Sequence, residues 1–324
     1  MTGAAAMPEE APLFLIFGHG YSAGFITPAL VARGWAVAGT TRSDPAAVAA
    51  AGSRPILWPG DEAAVAAAID RAAAVLVSVG PGPGGDPVLE RWGAAIAAAR
   101  PGWLGYLSAT SVYGDAAGAW IDEATPPAPG SARGRERVAA ERGWQALAAA
   151  HGLPLMIFRL AGIYGPGRGP FEKLRAGTAR RIVKPGQVFS RIHGEDIAGA
   201  VLAALDRPHP GAVWNLCDDD PAPPEEILAH AAGLIGLPVP PAEDFATAEM
   251  TPMARSFYSE AKRVSNARIK RDLGLRLRHP DYRSGLAAIL AAEAAAAQRG
   301  ASEQQPESSD APAPEPTITV ASRP

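Results

Sequence analysis

The sequence predicts an α/β protein, a doubly wound parallel sheet followed by a smaller C-terminal α+β lobe. Three observations carry that prediction. Six short apolar runs recur between residues 13 and 158, alanine-rich stretches of helical length separate them, and the separators close on Gly or Pro. Strands that read as continuous apolar runs, rather than alternating ones, belong to a parallel sheet covered on both faces by its crossover helices. Six such units with right-handed crossovers make the doubly wound arrangement.

The runs are LFLIF (13–17), WAVAGT (35–40), RPILW (54–58), AVLVSV (74–79), WLGYLS (103–108) and LPLMIF (153–158). After Arg159 the rhythm breaks. AGIYGPGRGP reads as a loop, and 170–190 as an irregular basic stretch. A helix is expected over 194–205, a strand in VWNLCD (213–218), and helices over 224–236, 259–274 and 281–298. The expected division is 12–166 with about 188–207 as the larger domain, and about 167–187 with 208–298 as the lobe. Residues 1–11 and 299–324 are expected to be disordered, since the polar, proline-rich tail cannot bury enough apolar area to order itself.

Composition excludes several functions. The chain has 324 residues, 48% hydrophobic, with a formal net charge of −3, so no global positive field recruits nucleic acid or anionic lipid. No apolar run reaches the roughly 18 residues of a membrane span. The N-terminal MTGAAAMPEEAP carries acids where an export signal needs bases. Cys217 stands alone, which leaves no disulfide and points to the reducing cytoplasm. Asp218-Asp219-Asp220 beside it reads as a solvated turn before Pro221, and no metal is expected. Lysine occurs only at Lys173, Lys184, Lys262 and Lys270 while arginine is abundant, so an Arg in place of Lys can reflect coding bias.

Directly after the first run comes Gly18-His19-Gly20-Tyr21-Ser22-Ala23, a G-x-G-x-x-A turn opening a helix. Gly18 permits the tight turn, Gly20 lets the backbone approach a pyrophosphate, and Ala23 lets the helix pack close to the strand. The N–H groups at the helix start then face the phosphates, as in a Rossmann domain. At the end of the second strand stand Thr40, Thr41, Arg42 and Ser43, with no acid until Asp44. A carboxylate there would hold the ribose diol of NAD(H). Arg42 beside Thr41 suits a 2′-phosphate, which selects NADP(H) over NAD(H).

Three further stretches, LSATSVYGD (107–115), FRLAGIYGPGR (158–168) and RIHGEDIAGAV (191–201), follow in order. With the glycine turn, over about residues 12–290, the chain resembles the extended short-chain dehydrogenase/reductase superfamily of NAD(P)-dependent sugar-nucleotide epimerases and dehydratases. The resemblance implies a cleft between Rossmann domain and lobe that holds nicotinamide and a small-molecule substrate, a sugar nucleotide or another anionic carbonyl compound. It further implies that Asp61 lies near the adenine and that Ser78, Val79 and Gly80 border the nicotinamide ribose. A homodimer is compatible with it.

The departures from the family pattern matter more. Ala109 occupies the family's Ser/Thr position, and Arg133 and Arg137 stand where the Tyr-x-x-x-Lys pair opens the next helix. A guanidinium stays protonated and cannot shuttle a proton as a phenol does. The chain therefore resembles the atypical branch, which keeps cofactor binding without the usual machinery. Ser108, Thr110 and Tyr113 become candidates for displaced catalysis, with Arg133 and Arg137 as fixed cations, while Arg191 and His193 are expected on the substrate side. A literal Tyr258-x-x-x-Lys262 is expected to be peripheral packing. The expected function is an NADP(H)-dependent oxidoreductase or epimerase/dehydratase-like enzyme. The alternatives are a non-enzymatic NADP(H)-sensing protein and a sugar-nucleotide-binding scaffold.

Overall fold

The computed structural model describes residues 11–303. In chain order its elements begin β1 (Leu13–Phe17), α1 (Tyr21–Val31), β2 (Ala36–Thr41), α2 (Pro45–Ala50), β3 (Arg54–Leu57), α3 (Glu62–Arg71), β4 (Ala72–Val77), α4 (Pro87–Ala99) and β5 (Trp103–Ala109). A 3-10 turn (Thr110–Tyr113), β6 (Trp120–Ile121), α5 (Ala132–His151), β7 (Leu155–Leu160), β8 (Gly162–Tyr164), α6 (Phe171–Arg175), β9 (Arg181–Val183) and β10 (Arg191–His193) follow. The rest are α7 (Gly194–Asp206), β11 (Val213–Leu216), α8 (Pro224–Leu234), β12 (Ala242–Asp244), α9 (Pro252–Phe257), β13 (Arg263–Val264), α10 (Ala267–Leu273) and α11 (Tyr282–Glu303).

Seven strands form one sheet in the order β11-β7-β5-β4-β1-β2-β3, and every pairing is parallel. All five residues of β1 and all six of β7 are buried, as covering on both faces demands. On one face Ile26 and Leu30 of α1 and Ile197 and Val201 of α7 pack on Phe14, Ile16 and Phe158. On the other, Val65 and Ile69 of α3, Ile96 of α4 and Trp144 of α5 pack on Leu15, Val75 and Tyr106. Each such side chain contributes roughly 1.5–3 kcal/mol by leaving water, so these two layers hold the sheet edge rigid where the site forms. A third apolar cluster, with Phe171, Leu174, Ile227, Tyr282 and Leu286, lies apart from both.

The larger plan agrees with the sequence, and three placements differ. VWNL at 213–216 belongs to the central sheet as its edge strand rather than to the lobe, because Trp214 and Leu216 are buried beside β7. The stretch 259–274 is helical only over Ala267–Leu273, since Arg263 and Val264 pair with Trp120 and Ile121 instead. The last helix continues to Glu303, past Arg299 where disorder was expected. Most of the two terminal segments expected to be disordered lies outside the described residues. Among the described residues no helix is long and apolar enough to cross a membrane.

Candidate cofactor and substrate cleft

The glycine turn is built as its sequence requires. Gly18 has φ +82°, and a Cβ on it would sit 2.8 Å from Val79 Cγ2 and 3.0 Å from Val79 N. Its N–H donates to Thr40 Oγ1 at 2.8 Å, while His19 N donates to Thr40 O at 2.7 Å. Ser78 N donates to Phe17 O at 2.8 Å, so the ends of β1, β2 and β4 converge on the turn. His19 turns inward against Gly39, with Nε2 2.8 Å from Thr27 Oγ1, and burial lowers its pKa. It braces the turn from behind.

Helix α1 starts at Gly20 without a side-chain cap, and a Cβ on Gly20 would meet nothing within 4 Å. Open space thus lies in front of uncapped N–H groups, which is the cradle a pyrophosphate fits. Ser22 and Ala23 are buried against the fold behind it. Tyr21 donates to Pro166 O at 3.1 Å, and the Arg168 guanidinium lies 4.8 Å from its ring centroid.

At the end of β2, Arg42 is exposed and forms no ion pair among the described residues. Thr41 Oγ1 accepts from Asp44 N at 3.2 Å, and Asp44 in turn caps α2 by accepting from Ala47 N at 2.9 Å. The nearest carboxylate is therefore spent on a helix end. Asp61 is likewise a cap, accepting from Ala64 N at 3.0 Å at the start of α3.

A cleft of about 750 Å³ opens beyond this edge, with Ala109, Thr110, Arg133, Arg137, Arg191 and Lys262 on its walls. Arg137 Nη1 donates to Leu107 O at 2.7 Å, and its Nη2 would lie 3.2 Å from a Cβ on Gly80. The cation of α5 thereby sits at the end of β4, beside the segment expected to border the nicotinamide ribose. Arg191 Nη1 donates to Phe189 O at 3.0 Å and to Ala222 O at 3.1 Å, and burial pulls its pKa down to about 10.

Two catalytic candidates are corrected. Tyr113 is only 3% exposed, donates to Asn215 Oδ1 at 2.8 Å and accepts from Arg159 Nη1 at 2.9 Å. Burial raises its pKa, although Arg159 opposes the shift. Ser108 is buried and donates to Glu141 Oε1 at 2.5 Å. Both belong to an internal network around Arg159, whose Nη2 meets Glu141 Oε2 at 2.7 Å and whose Nε meets Oε1 at 3.1 Å. Neither hydroxyl lines the cleft. Arg159 itself was missed as a functional position, although a charged residue inside a run of buried strand residues must be paired.

His193 is corrected too. It lies 1% exposed behind Tyr164, caps α7 by accepting from Glu195 N at 3.2 Å through Nδ1, and is not on the cleft wall. Burial first, and His279 second, pull its pKa to about 4. His193, Glu195 and His279 have ligand atoms within 4.8 Å of one another. His193 Nδ1 is used in the cap and Glu195 Oε2 meets His279 Nε2 at 3.0 Å, whereas His193 Nε2 is buried with no hydrogen-bond partner among the described residues.

The Asp218–Asp220 turn is not solvated throughout. Asp219 pairs with Lys270 and Asp220 with Arg283 at the surface, whereas Asp218 is 1% exposed and neither of its carboxylate oxygens has a hydrogen-bond partner among the described residues. Burial pushes its pKa up to about 8 despite nearby Arg191. The distant Tyr258–Lys262 pair also divides. Tyr258 packs on Phe189 and Phe245, but Lys262 reaches the cleft wall, donating to Gly114 O at 2.7 Å and to Glu260 Oε2 at 2.5 Å.

Residues 93–217 match the model of the NAD dependent epimerase/dehydratase family. The matched segment is a domain of that family and covers less than half of the chain. Among curated relatives it is similar to Protein YeeZ of Escherichia coli (strain K12), 32% identical over 181 residues that cover 54% of this chain and 58% of that one. It is also similar to the 3-diazoavenalumate denitrifying reductase of Streptomyces sp, 29% identical over 153 residues, 43% of this chain and 48% of that one. The match thus spans about half the length of these relatives. Among solved structures, a functionally unknown conserved protein from Silicibacter pomeroyi DSS is 55% identical, with a TM-score of 0.83 over 87% of this chain and 99% of that one. Human epimerase family protein SDR39U1 (isoform 2), solved with NADPH, is 20% identical with a TM-score of 0.67 over 86% and 98% of the two chains, and shares the fold. The human neighbour holds NADPH, and the cradle at Gly18–Ala23, with open space before uncapped N–H groups, has the form a pyrophosphate fits.

Proposed function

We propose that the protein is an NADP(H)-dependent oxidoreductase acting on a small anionic substrate, with the family's phenol–lysine proton relay replaced. One observation carries the reading: two cleft-lining arginines reach the glycine-turn side, Arg168 over the Tyr21 ring and Arg137 beside Gly80, where the resemblance places the family's lysine. NADP(H), when bound, supplies or accepts a hydride. The chain's own part is to hold and orient. The α1 N–H groups and Gly20 would take the pyrophosphate, Arg42 the 2′-phosphate, and Ser78, Val79 and Gly80 with Arg137 the nicotinamide riboside. Residues 12–166, about 188–207 and β11 make the cofactor side, and 167–187 with the remainder of 208–298 shape the substrate side.

Because Tyr113 is sealed inside, proton handling falls to groups on the cleft wall. Glu260 and Lys262 stand there as a close pair, their side chains 15% and 12% exposed, with Thr110 nearby on the same wall. The name of the Streptomyces reductase and the NADPH of the human neighbour support a reductive role.

The test is a fluorescence titration with NADPH and NADH on wild type and Arg42→Ala. Wild type should bind NADPH tighter, and the variant should lose roughly ten- to a hundredfold for NADPH alone, the scale of a charge-assisted contact. Equal affinity of wild type for both cofactors would refute the assignment of NADP(H).

A further inference from the structure

The walls of the cleft carry a chemistry that neither the fold nor the glycine turn dictates. Six cations line it: Arg133, Arg137, Arg168, Arg180, Arg191 and Lys262. Arg180 is neutralised by Glu243, and Lys262 by Glu260. The other four are in no ion pair among the described residues. A surplus of fixed positive charge therefore faces the cavity.

The uncharged part of the wall combines hydroxyl side chains with a large apolar and aromatic share. Phe189, Tyr164 and Tyr282 lie close to Arg191, and Ile227, Phe257 and Leu286 also line the cleft. No Asp, Asn, Gln or His lines the cleft among the described residues, and its one acid, Glu260, is held by Lys262. Sugars present many hydroxyl donors, which need acceptors placed around them. This wall offers the hydroxyls of Thr110, four serines, Tyr164 and Tyr282, backbone, and a single carboxylate already held by Lys262. It is poorly equipped for a glycosyl group and well equipped for a flat apolar body with one negative end.

Arg191 is the anchor suited to that end. Its Nη1 is fixed by the carbonyls of Phe189 and Ala222, and its guanidinium carbon lies 5.7 Å from the Phe189 ring centroid. A guanidinium held by neutral carbonyls, beside an Asp218 carboxyl whose burial favours the protonated form, keeps its charge and holds its remaining N–H donors in a set orientation, the arrangement that takes a carboxylate.

We propose that the cleft binds an aromatic carboxylate, its acid group on Arg191 and its ring among Tyr164, Phe189 and Tyr282, rather than a sugar nucleotide. The proposal rests on the reading of the site as NADP(H)-dependent, and the two are tested in separate steps. Calorimetry first titrates NADP⁺ into the full chain. Absence of binding there defeats the cofactor reading, and the next steps are then run on the chain alone.

The second step titrates 4-hydroxycinnamate, its carboxamide, and UDP-glucose. The acid should bind, the carboxamide should bind at least about tenfold more weakly as a charge-assisted contact is lost, and UDP-glucose should give no saturable heat. Arg191→Met should weaken the acid by a similar factor and leave the carboxamide unchanged. Should that variant misfold through loss of its carbonyl contacts, the comparison of acid with carboxamide on wild type still decides. Binding of UDP-glucose in preference to the acid, or equal affinity for acid and carboxamide, overturns the proposal.

Discussion

Glu141→Ala should destabilise the protein by about 3–5 kcal/mol, because it leaves the Arg159 guanidinium buried without its carboxylate. The side chains of Arg159 and Glu141 are 7% and 4% exposed, so water cannot take the lost partner's place. Tyr113 and Ser108 lean on the same pair, and Asn215 Nα donates to Glu123 Oε1 at 2.7 Å, which ties β11 to the loop after β6. In a chain of this size each kcal/mol shifts the melting temperature by a few degrees, so the drop should be roughly 10 °C or more. The informative companion is Glu141→Leu with Arg159→Met. Removing both charges avoids the uncompensated ion, and most of the loss should be recovered. A single variant that melts within a degree or two of wild type would show that the pair does not bear on stability.

The second large effect concerns Asp218 and pH. Its carboxyl lies near 8 in the folded protein, against an ordinary value of 3.8, and burial is the chief cause. The folded state therefore holds a proton that the unfolded chain releases. With the folded pKa raised, the associated stability is fully present below about pH 4, declines as pH rises, and is lost above the folded pKa. The span corresponds to at most on the order of 5 kcal/mol. Asp218→Asn keeps the shape without the charge. Melting at pH 6 and pH 9 should show a smaller difference for the variant, with the variant more stable than wild type at pH 9. An unchanged difference between the two pH values would mean that Asp218 is ionised and partnered in solution.

The sheet was legible because its signals are local. LFLIF, AVLVSV and LPLMIF announce strands covered on both faces, and Gly18–Ala23 states its own geometry through residue size alone. The edge strand at 213–216 was readable as a strand but not as a member of this sheet, since only the pairing with β7 assigns it. The site divided along the same line. Arg42, Gly18 and Arg137 were readable because each stands at a fixed place in a local motif. The burial of Tyr113, Ser108 and His193 depends on partners 102, 33 and 86 residues away, at Asn215, Glu141 and His279, and no spacing rule reports those. Lys262 shows the converse. A short pattern set aside because of its distance along the chain comes to the cleft through stitching of Ala261 to Asp115, Ala116 and Gly118.

The predominance of arginine over lysine on the cleft wall has a consequence for how this protein can be assayed. Four of the cleft's cations without a carboxylate partner are guanidinium groups, and even Arg191, lowered to about 10, keeps its proton at neutrality. Their charge is a constant background across the working range of ordinary buffers. An acidic ligand whose affinity falls as the medium is acidified would then be reporting its own protonation, and the midpoint of that fall would give the acid strength of an unknown ligand before its structure is known.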